Sequence, residues 1–298
     1  METINKISQD ELQQRMNWTL NQKIDHSLYI IESFINKYPN SKVAFSGGLD
    51  STVMLYLVRM IDKNREGIFS NTTNELSEIL DFVKDTENIK VLRSKTTFKE
   101  TVSQYGFPLI SKLVARQIHD LKYPTKSNEA TRLLYSTGIK RDGTKSKSFK
   151  LAEKWKHLID QPFDISIKCC DILKKQPMSV FSETGVFIGT MAENSGTRKM
   201  SYLKTGCINE AENKCMPLSI FTKQDNWNII KQFNIPYSTI YNKGETNTGC
   251  AYCGIGCQFD KTRFLRLKER EPKRFDYMMN LENNGITFKE ALNITFKI

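Results

Sequence analysis

The chain has 298 residues and a mass of 34.5 kDa, with 39% hydrophobic and 26% charged residues. That is enough apolar material for a full core, and it excludes a disordered tail or a disulfide-stapled mini-domain. The formal net charge of +11, from 44 Lys+Arg against 33 Asp+Glu, points to an anionic partner, nucleic acid or nucleotide, although Lys outnumbering Arg 32 to 12 is also what AT-rich coding gives.

The length suits one large domain, or one domain with a smaller element. The N-terminal stretch METINKISQDELQQRMNWTL is polar, so no signal peptide is expected. No run approaches the ~18 apolar residues of a membrane span. The expectation is a cytoplasmic protein without membrane contact. Its seven cysteines are then free thiols or ligands rather than disulfides. None precedes Cys169; all seven (169, 170, 207, 215, 250, 253, 257) fall in the second half, which reads as metal binding or catalysis.

In chain order, Ser8-x-x-Glu11 opens a helix expected over 8–22. Ile24, Leu28, Ile31, Phe34 and Ile35 give helical spacing over 24–38. Residues 42–45 (KVAF) read as a buried strand, running into Ser46-Gly47-Gly48-Leu49-Asp50-Ser51 and a buried helix over 52–61. Short strands are expected at 68–69, 89–92 and 186–189, with a helix over 76–83. Strands alternating with helices predict an α/β fold, a doubly wound parallel sheet with helices on both faces. Residues 122–150 break the pattern, being polar, basic and rich in Ser, Thr and Gly. Over 112–158 there are 12 Lys+Arg against 4 Asp+Glu, so most of the excess charge lies there. It reads equally as a solvated face or as a surface for nucleic-acid phosphates. The expected division is 1–121, a nucleotide-binding half; 122–165, a basic insertion or lid; 166–258, the second half of the α/β domain with the cysteines; and 259–298, a helical segment.

Glycines between a strand and a helix let backbone approach a phosphate, and the helix offers N–H groups and its positive dipole end. Ser46 and Ser51 add hydroxyls, and Asp50 can hold a Mg²⁺ that bridges phosphate oxygens. The GxxxxGK[ST] pattern of Walker-type NTPases is absent. Residues 43–51 (VAFSGGLDS) resemble instead the PP-loop of the ATP-pyrophosphatase (adenine nucleotide alpha hydrolase-like, HUP) superfamily, which grips the pyrophosphate of ATP while an acceptor is adenylated.

Within that superfamily the chain resembles the phosphoadenosine phosphosulfate (PAPS) reductase family. Thr72-x-x-Glu75 is similar to its Thr-x-x-Glu segment near the nucleotide. Residues 189–198 (GTMAENSGTR) are similar to its G-x-R-x-x-E-S-x-x-R segment, with Met191 in place of an Arg and Asn194 in place of a Glu, and with Gly189, Ser195 and Arg198 kept. Arg198 suits a forked grip on phosphate; the alternative is a surface ion pair. Residues 215–244 are similar to the segment that precedes the family's CxxC.

Cys169-Cys170 with Cys250-x-x-Cys253 resembles the set that holds a [4Fe–4S] cluster in assimilatory adenylyl-sulfate reductases. Four thiolates suit a cubane or tetrahedral zinc; the three His residues all lie away from the cysteines in sequence, which disfavours a mixed Cys/His zinc site, and adjacent Cys-Cys ligation is unusual for structural zinc, so Fe–S is favoured. Cys257 makes an alternative set with Cys250, Cys253 and Cys170. Cys207 and Cys215 stand as persulfide-carrying catalytic residues or as inert buried thiols.

The resembled reductases carry a nucleophilic cysteine near the C-terminus and a degenerate PP-loop. Here no Cys follows Cys257 and the loop is complete. The expectation is therefore an ATP-dependent sulfurtransferase with ATP, Mg²⁺ and a [4Fe–4S] cluster, adenylating a tRNA or DNA acceptor and taking sulfur from a donor such as a cysteine desulfurase. Asp50, Arg198, Cys207 and Cys215 are its candidate catalytic residues. A sulfonucleotide reductase of sulfur assimilation and a nucleic-acid-binding module with a structural metal are the alternatives. Residues 261–274, with seven Lys+Arg, suit a polynucleotide or a helix with a solvated basic face.

Overall fold

The computed structural model describes residues 7–297. Residues 1–6, part of the polar stretch read above, and residue 298 lie outside the described residues. The chain divides into two compact units. The first comprises the described residues up to Asn71, Glu75–Arg93 and Gln176–Gly249. The second comprises Thr72–Asn74, Ser94–Lys175 and the described residues from Cys250 onward.

The first unit is α/β. Its six-stranded sheet runs in the order Ile89–Arg93, Gly67–Asn71, Lys42–Ala44, Val186–Ile188, Lys214–Cys215, Ile208–Asn209. All neighbours are parallel except the last pair, which is antiparallel. The inner strands are apolar because they are covered: Val43 and Phe187 are fully buried, and Phe187 meets Phe34 edge-on at 4.9 Å between ring centroids. Phe34 belongs to the amphipathic helix Leu20–Lys37, whose inward stripe includes Ile24 and Ile31. The strand Lys42–Ala44 pairs with Gly67–Asn71 on one side and Val186–Ile188 on the other. Chain order therefore reverses at this strand, and an open α/β sheet has its ligand crevice where order reverses, outside the carboxyl ends of the strands.

The single helix expected over 8–22 is two. Ser8 caps Gln9–Met16 by accepting from the Glu11 N–H at 3.0 Å. Thr19 then opens Leu20–Lys37 with a capping box: its hydroxyl accepts from the Gln22 N–H, and the Gln22 side chain accepts from the Thr19 N–H at 3.0 Å. A second N-cap inside a continuous helical pattern ends the first helix.

The second unit is mainly helical, with two two-stranded sheets, Leu109–Ile110 with Gly254–Ile255 and Glu282–Asn283 with Ile286–Thr287. Phe107, Phe163 and Phe288 centre its core, with Phe107 and Phe288 at 5.1 Å. Residues 122–150 contain the helix Glu129–Thr137, with Tyr135 buried. Several bonds tie the segment down, among them that of the Lys122 ammonium to the Asp164 carboxylate at 2.7 Å. The Gln117 amide donates to the Phe149 carbonyl at 2.7 Å, and the Leu151 N–H donates to the Tyr135 carbonyl at 2.8 Å. No described helix is long and apolar enough to cross a membrane.

Phe187 sits in the strand beside the switch point with its ring wholly enclosed. Phe187→Ala should cost about 3–5 kcal/mol of unfolding free energy. Urea denaturation followed by far-UV circular dichroism measures this, as a lower midpoint at unchanged slope.

Candidate nucleotide site and cysteine cluster

The loop Ser46–Ser51 leaves the carboxyl end of the switch-point strand and enters the helix Leu49–Ile61. Gly47 has φ +70°, and a Cβ there would come within 3.0 Å of the Ile79 side chain, so the turn requires glycine. The loop closes on itself. The Ser51 hydroxyl accepts from the Ser46 N–H at 3.1 Å, lies 3.0 Å from the Ser46 hydroxyl, and reaches the Gly48 carbonyl at 2.9 Å. The helix N-cap, Gly48, makes no side-chain cap bond, and the Leu49 N–H donates to the Tyr241 hydroxyl at 2.7 Å. Those serine bonds brace the turn that leads into the helix N-terminus.

Gly189 follows the neighbouring strand, Val186–Ile188. A Cβ on it would sit 2.9 Å from the Asp50 carbonyl oxygen, so the two loops meet backbone to backbone. Asp50 accepts from the Asn226 amide at 2.9 Å. Burial pushes its carboxyl above the ordinary range, and the Asn226 bond and the charges of Arg198 and Lys223 oppose that shift only in part. Arg198 is exposed in the first turn of the helix Gly196–Thr205, where the Ser195 hydroxyl accepts its N–H at 3.3 Å. Ser195 is therefore an N-cap. Glu193 accepts from the Lys223 N–H at 2.7 Å. Glu75 is buried in this unit, whereas Thr72 belongs to the other.

Asn226, Lys223 and Tyr241 were not among the sequence-derived site residues. Asn226 is fully buried, its amide also faces the Met191 sulfur at 3.3 Å, and its Oδ1 has no partner among the described residues. Met191, the departure from the family's Arg, is itself fully buried and lines this amide. The signal available in the sequence was the capping box Thr222-x-x-Asp225, which opens the helix Lys223–Gln232 and carries Lys223 and Asn226 on its first turn.

In the second unit, Cys169 and Cys170 form a single helical turn, Lys168–Cys170, that runs into the π-turn Asp171–Lys175. Cys250 and Cys253 flank Ala251 and Tyr252. Asn74, fully buried, holds that turn: its amide donates to the Tyr252 carbonyl at 3.2 Å, its Oδ1 accepts from the Tyr252 N–H at 2.9 Å, and its carbonyl accepts from the Ala251 N–H at 2.6 Å. Two β-branched residues beside the loop, Thr73 and Ile110, carry φ of 63° and 66°. Such backbone is held only by its surroundings. Thr72 lies here, with its hydroxyl 3.9 Å from the Cys250 sulfur.

Cys169, Cys170, Cys250 and Cys253 lie in one another's field. The Cys169 thiol is pushed far up, by its bond to Cys170 first, then by burial and by Cys253 and Cys250. Cys170 is drawn down by that same bond and by Lys112 and Lys174. Burial raises Cys253 to about 12, with Cys250 and Cys170 adding to it and the Ile255 N–H on its sulfur opposing. Cys257 stands apart: it answers to burial, Arg263 and Asp260, and its sulfur points to the Cys253 carbonyl at 3.5 Å. Among the described residues no group of three or more His, Cys, Asp or Glu side chains already stands in a metal-holding arrangement. The four thiols are of the donor type that a thiolate-ligated cluster takes.

Cys207 and Cys215 lie in the core of the first unit. Burial pushes Cys207 to about 12 and Cys215 well above the ordinary thiol range. Burial disfavours the nucleophilic thiolate at both, which is the setting of the inert alternative.

Two outcomes are expected. The folded state raises the pKa of Asp50, so Asp50 favours folding below its unfolded pKa and loses that contribution as pH rises through the folded value. Asp50→Asn should therefore melt no lower than wild type at pH 7, with any gain vanishing toward pH 3, in thermal scans across that window. Asn74→Ala leaves two backbone groups of the cysteine turn, the Tyr252 N–H and carbonyl, without their side-chain partner. It should cost about 1–3 kcal/mol, read from denaturant midpoints.

Against known proteins, the model of the phosphoadenosine phosphosulfate reductase domain matches residues 40–148 and 135–258. The chain is 24% identical over 223 residues to an adenosine 5'-phosphosulfate reductase of Oceanobacillus iheyensis, covering 70% of this chain and 69% of that protein. It is 23% identical over 264 residues to an uncharacterized protein of Methanocaldococcus jannaschii, covering 84% of this chain and only 50% of that one. A phosphoadenylyl-sulfate reductase from Candida auris, solved as a phosphate complex, aligns at TM-score 0.43 and 14% identity over 82% of this chain and 96% of that chain. The matched stretch contains the nucleotide loop, the Gly189–Arg198 segment and all seven cysteines, and the chain belongs to the phosphoadenosine phosphosulfate reductase domain family.

Proposed function

We propose that this chain is a nucleotide-dependent sulfur-transfer enzyme that uses ATP and Mg²⁺ to adenylate a nucleic-acid acceptor, tRNA or DNA, and replaces the activated oxygen with sulfur. The observation that carries the nucleotide half is the complete SGGLDS loop at the reversal point of the sheet, with Asp50 half-buried, bonded to Asn226 and in the field of Arg198 and Lys223. Partly compensated, the Asp50 carboxylate suits a divalent cation, which supplies the missing positive charge. The Ser46 and Ser51 hydroxyls and the start of the Leu49–Ile61 helix suit the departing pyrophosphate, and Arg198 suits the α-phosphate.

The acceptor oxygen attacks the α-phosphorus and expels pyrophosphate; hydrosulfide then displaces AMP from the acceptor carbon, releasing a proton. Both steps are redox-neutral. Cys169, Cys170, Cys250 and Cys253 are the residues that would hold a [4Fe–4S] cluster, which when bound supplies an iron site for sulfide. The donor of that sulfide, in this reading, is an enzyme of the cysteine desulfurase type.

A second reading is favoured by the names of the relatives: a sulfonucleotide reductase acting on adenylyl sulfate. The Asp50 loop would then hold the nucleotide of the substrate rather than release pyrophosphate.

Anaerobically purified protein is expected to carry iron with absorption near 400 nm and to release pyrophosphate from ATP. Asp50→Ala should lower that release by about 10²-fold or more. Cys170→Ser and Cys253→Ser should lose iron, and Cys257→Ser should keep it. Sulfite release from adenylyl sulfate with a thiol reductant, and no pyrophosphate from ATP, would replace the first reading by the second.

A further inference from the structure

The first N–H of the helix Leu49–Ile61 points where a phosphate is expected, and a side chain already holds it. The Tyr241 hydroxyl accepts from the Leu49 N–H at 2.7 Å and lies 3.3 Å from the Thr248 hydroxyl. That second hydroxyl rests on the glycine turn: a Cβ on Gly48 would run into it, and would lie 3.5 Å from the Tyr241 hydroxyl. Between the two, residues 244–248 form a strap. The Lys223 ammonium holds its middle, donating to the Thr246 carbonyl and to the Asn247 side-chain oxygen, the latter at 3.3 Å. Lys223 is also one of the charges that act on Asp50. Trp227 backs the Tyr241 ring edge-on at 5.5 Å. All of these residues belong to the first unit.

Two donors thus fasten the strap, the Leu49 N–H and the Lys223 ammonium, and a nucleotide phosphate at the loop would take both. On the strap they meet neutral oxygens: a phenol, a carbonyl and an amide. A phosphate offers ionised oxygens, which make shorter and stronger bonds with the same donors. The geometry points to residues 244–248 as an autoinhibitory strap, closed on the PP-loop through Tyr241 and Lys223 and released when phosphate takes those two donors. A ligand that displaces such a contact binds with an affinity reduced by the fraction of molecules that are open without it. The inference rests on the loop as an adenine-nucleotide site, which the ATP and the adenylyl sulfate readings share, and it adds a gate to that site.

The test uses the full chain with ATP and Mg²⁺, with adenylyl sulfate, or with adenosine, and without acceptor, sulfur donor or reductant. Affinity is read by equilibrium dialysis. Strap opening is read as the rate at which a glutamyl endopeptidase cuts after Glu245, followed by mass spectrometry. A nucleotide that binds should speed this cut about 3-fold or more, and adenosine, which has no phosphate, should leave it unchanged. Tyr241→Phe keeps the ring against Trp227 and removes only the hydroxyl. It should speed the cut in ligand-free protein and bind nucleotide about 2- to 10-fold tighter, the worth of one hydrogen bond. Thr248→Ala should act in the same direction. Weaker binding by Tyr241→Phe would make the hydroxyl a ligand contact and overturn the strap, as would a cut that nucleotide slows or leaves unchanged. If neither nucleotide binds, the loop reading falls together with the strap; if one binds and the strap stays shut, the strap alone falls.

Discussion

The nucleotide half of the molecule depends on two backbone segments lying closer than side chains permit. The loops that leave adjacent parallel strands meet where Gly189 faces the Asp50 carbonyl, in a space with no room for a Cβ. The left-handed turn at Gly47 directs the chain from strand to helix in the same place. The serine bonds inside the loop, the depth of Asp50 and the helix N-terminus all follow from that approach. Removing a side chain is the only way to bring two main chains together without moving the strands they terminate, and those strands are bound into register by Lys42↔Val186 through Ala44↔Ile188.

Much of this was legible in the sequence because it is local. Short apolar runs between turn residues gave the strands at 42–44, 67–71, 89–93 and 186–188 to within a few residues, and the SGGLDS junction gave its own position between strand and helix. What escaped was mostly long-range. Asn226 is one polar residue in an ordinary amphipathic helix until folding brings it 2.9 Å from Asp50, 176 positions away. Other misses were local signals left unread: Thr19, Thr97, Thr222 and Thr287 each open a helix through a capping box, and Thr19 splits a helix that periodicity alone makes continuous. The presence of a second compact unit, assembled from three separate stretches of chain, has no compositional signature at all.

The two units differ in electrostatic character. In the first, the notable charge is the half-buried Asp50 carboxylate, whose desolvation the neighbouring charges offset only in part. The second contains both basic stretches, 112–158 and 261–274, together with the four interacting thiols. Lysines near sulfur favour the thiolate, as Lys112, from the first of those stretches, and Lys174 do at Cys170.

The turn between Cys250 and Cys253 is held by Asn74 with a reciprocal pair of bonds to Tyr252 and a third to Ala251, the pattern of a strand pairing made by one residue. A loop satisfied in this way has its conformational entropy already given up to the chain's own bonds. In small zinc modules the ion must order its own ligands, so metal loss and unfolding are one event. A cluster of the kind proposed above would meet a turn that the protein itself orders, so its lifetime would not set the lifetime of the fold.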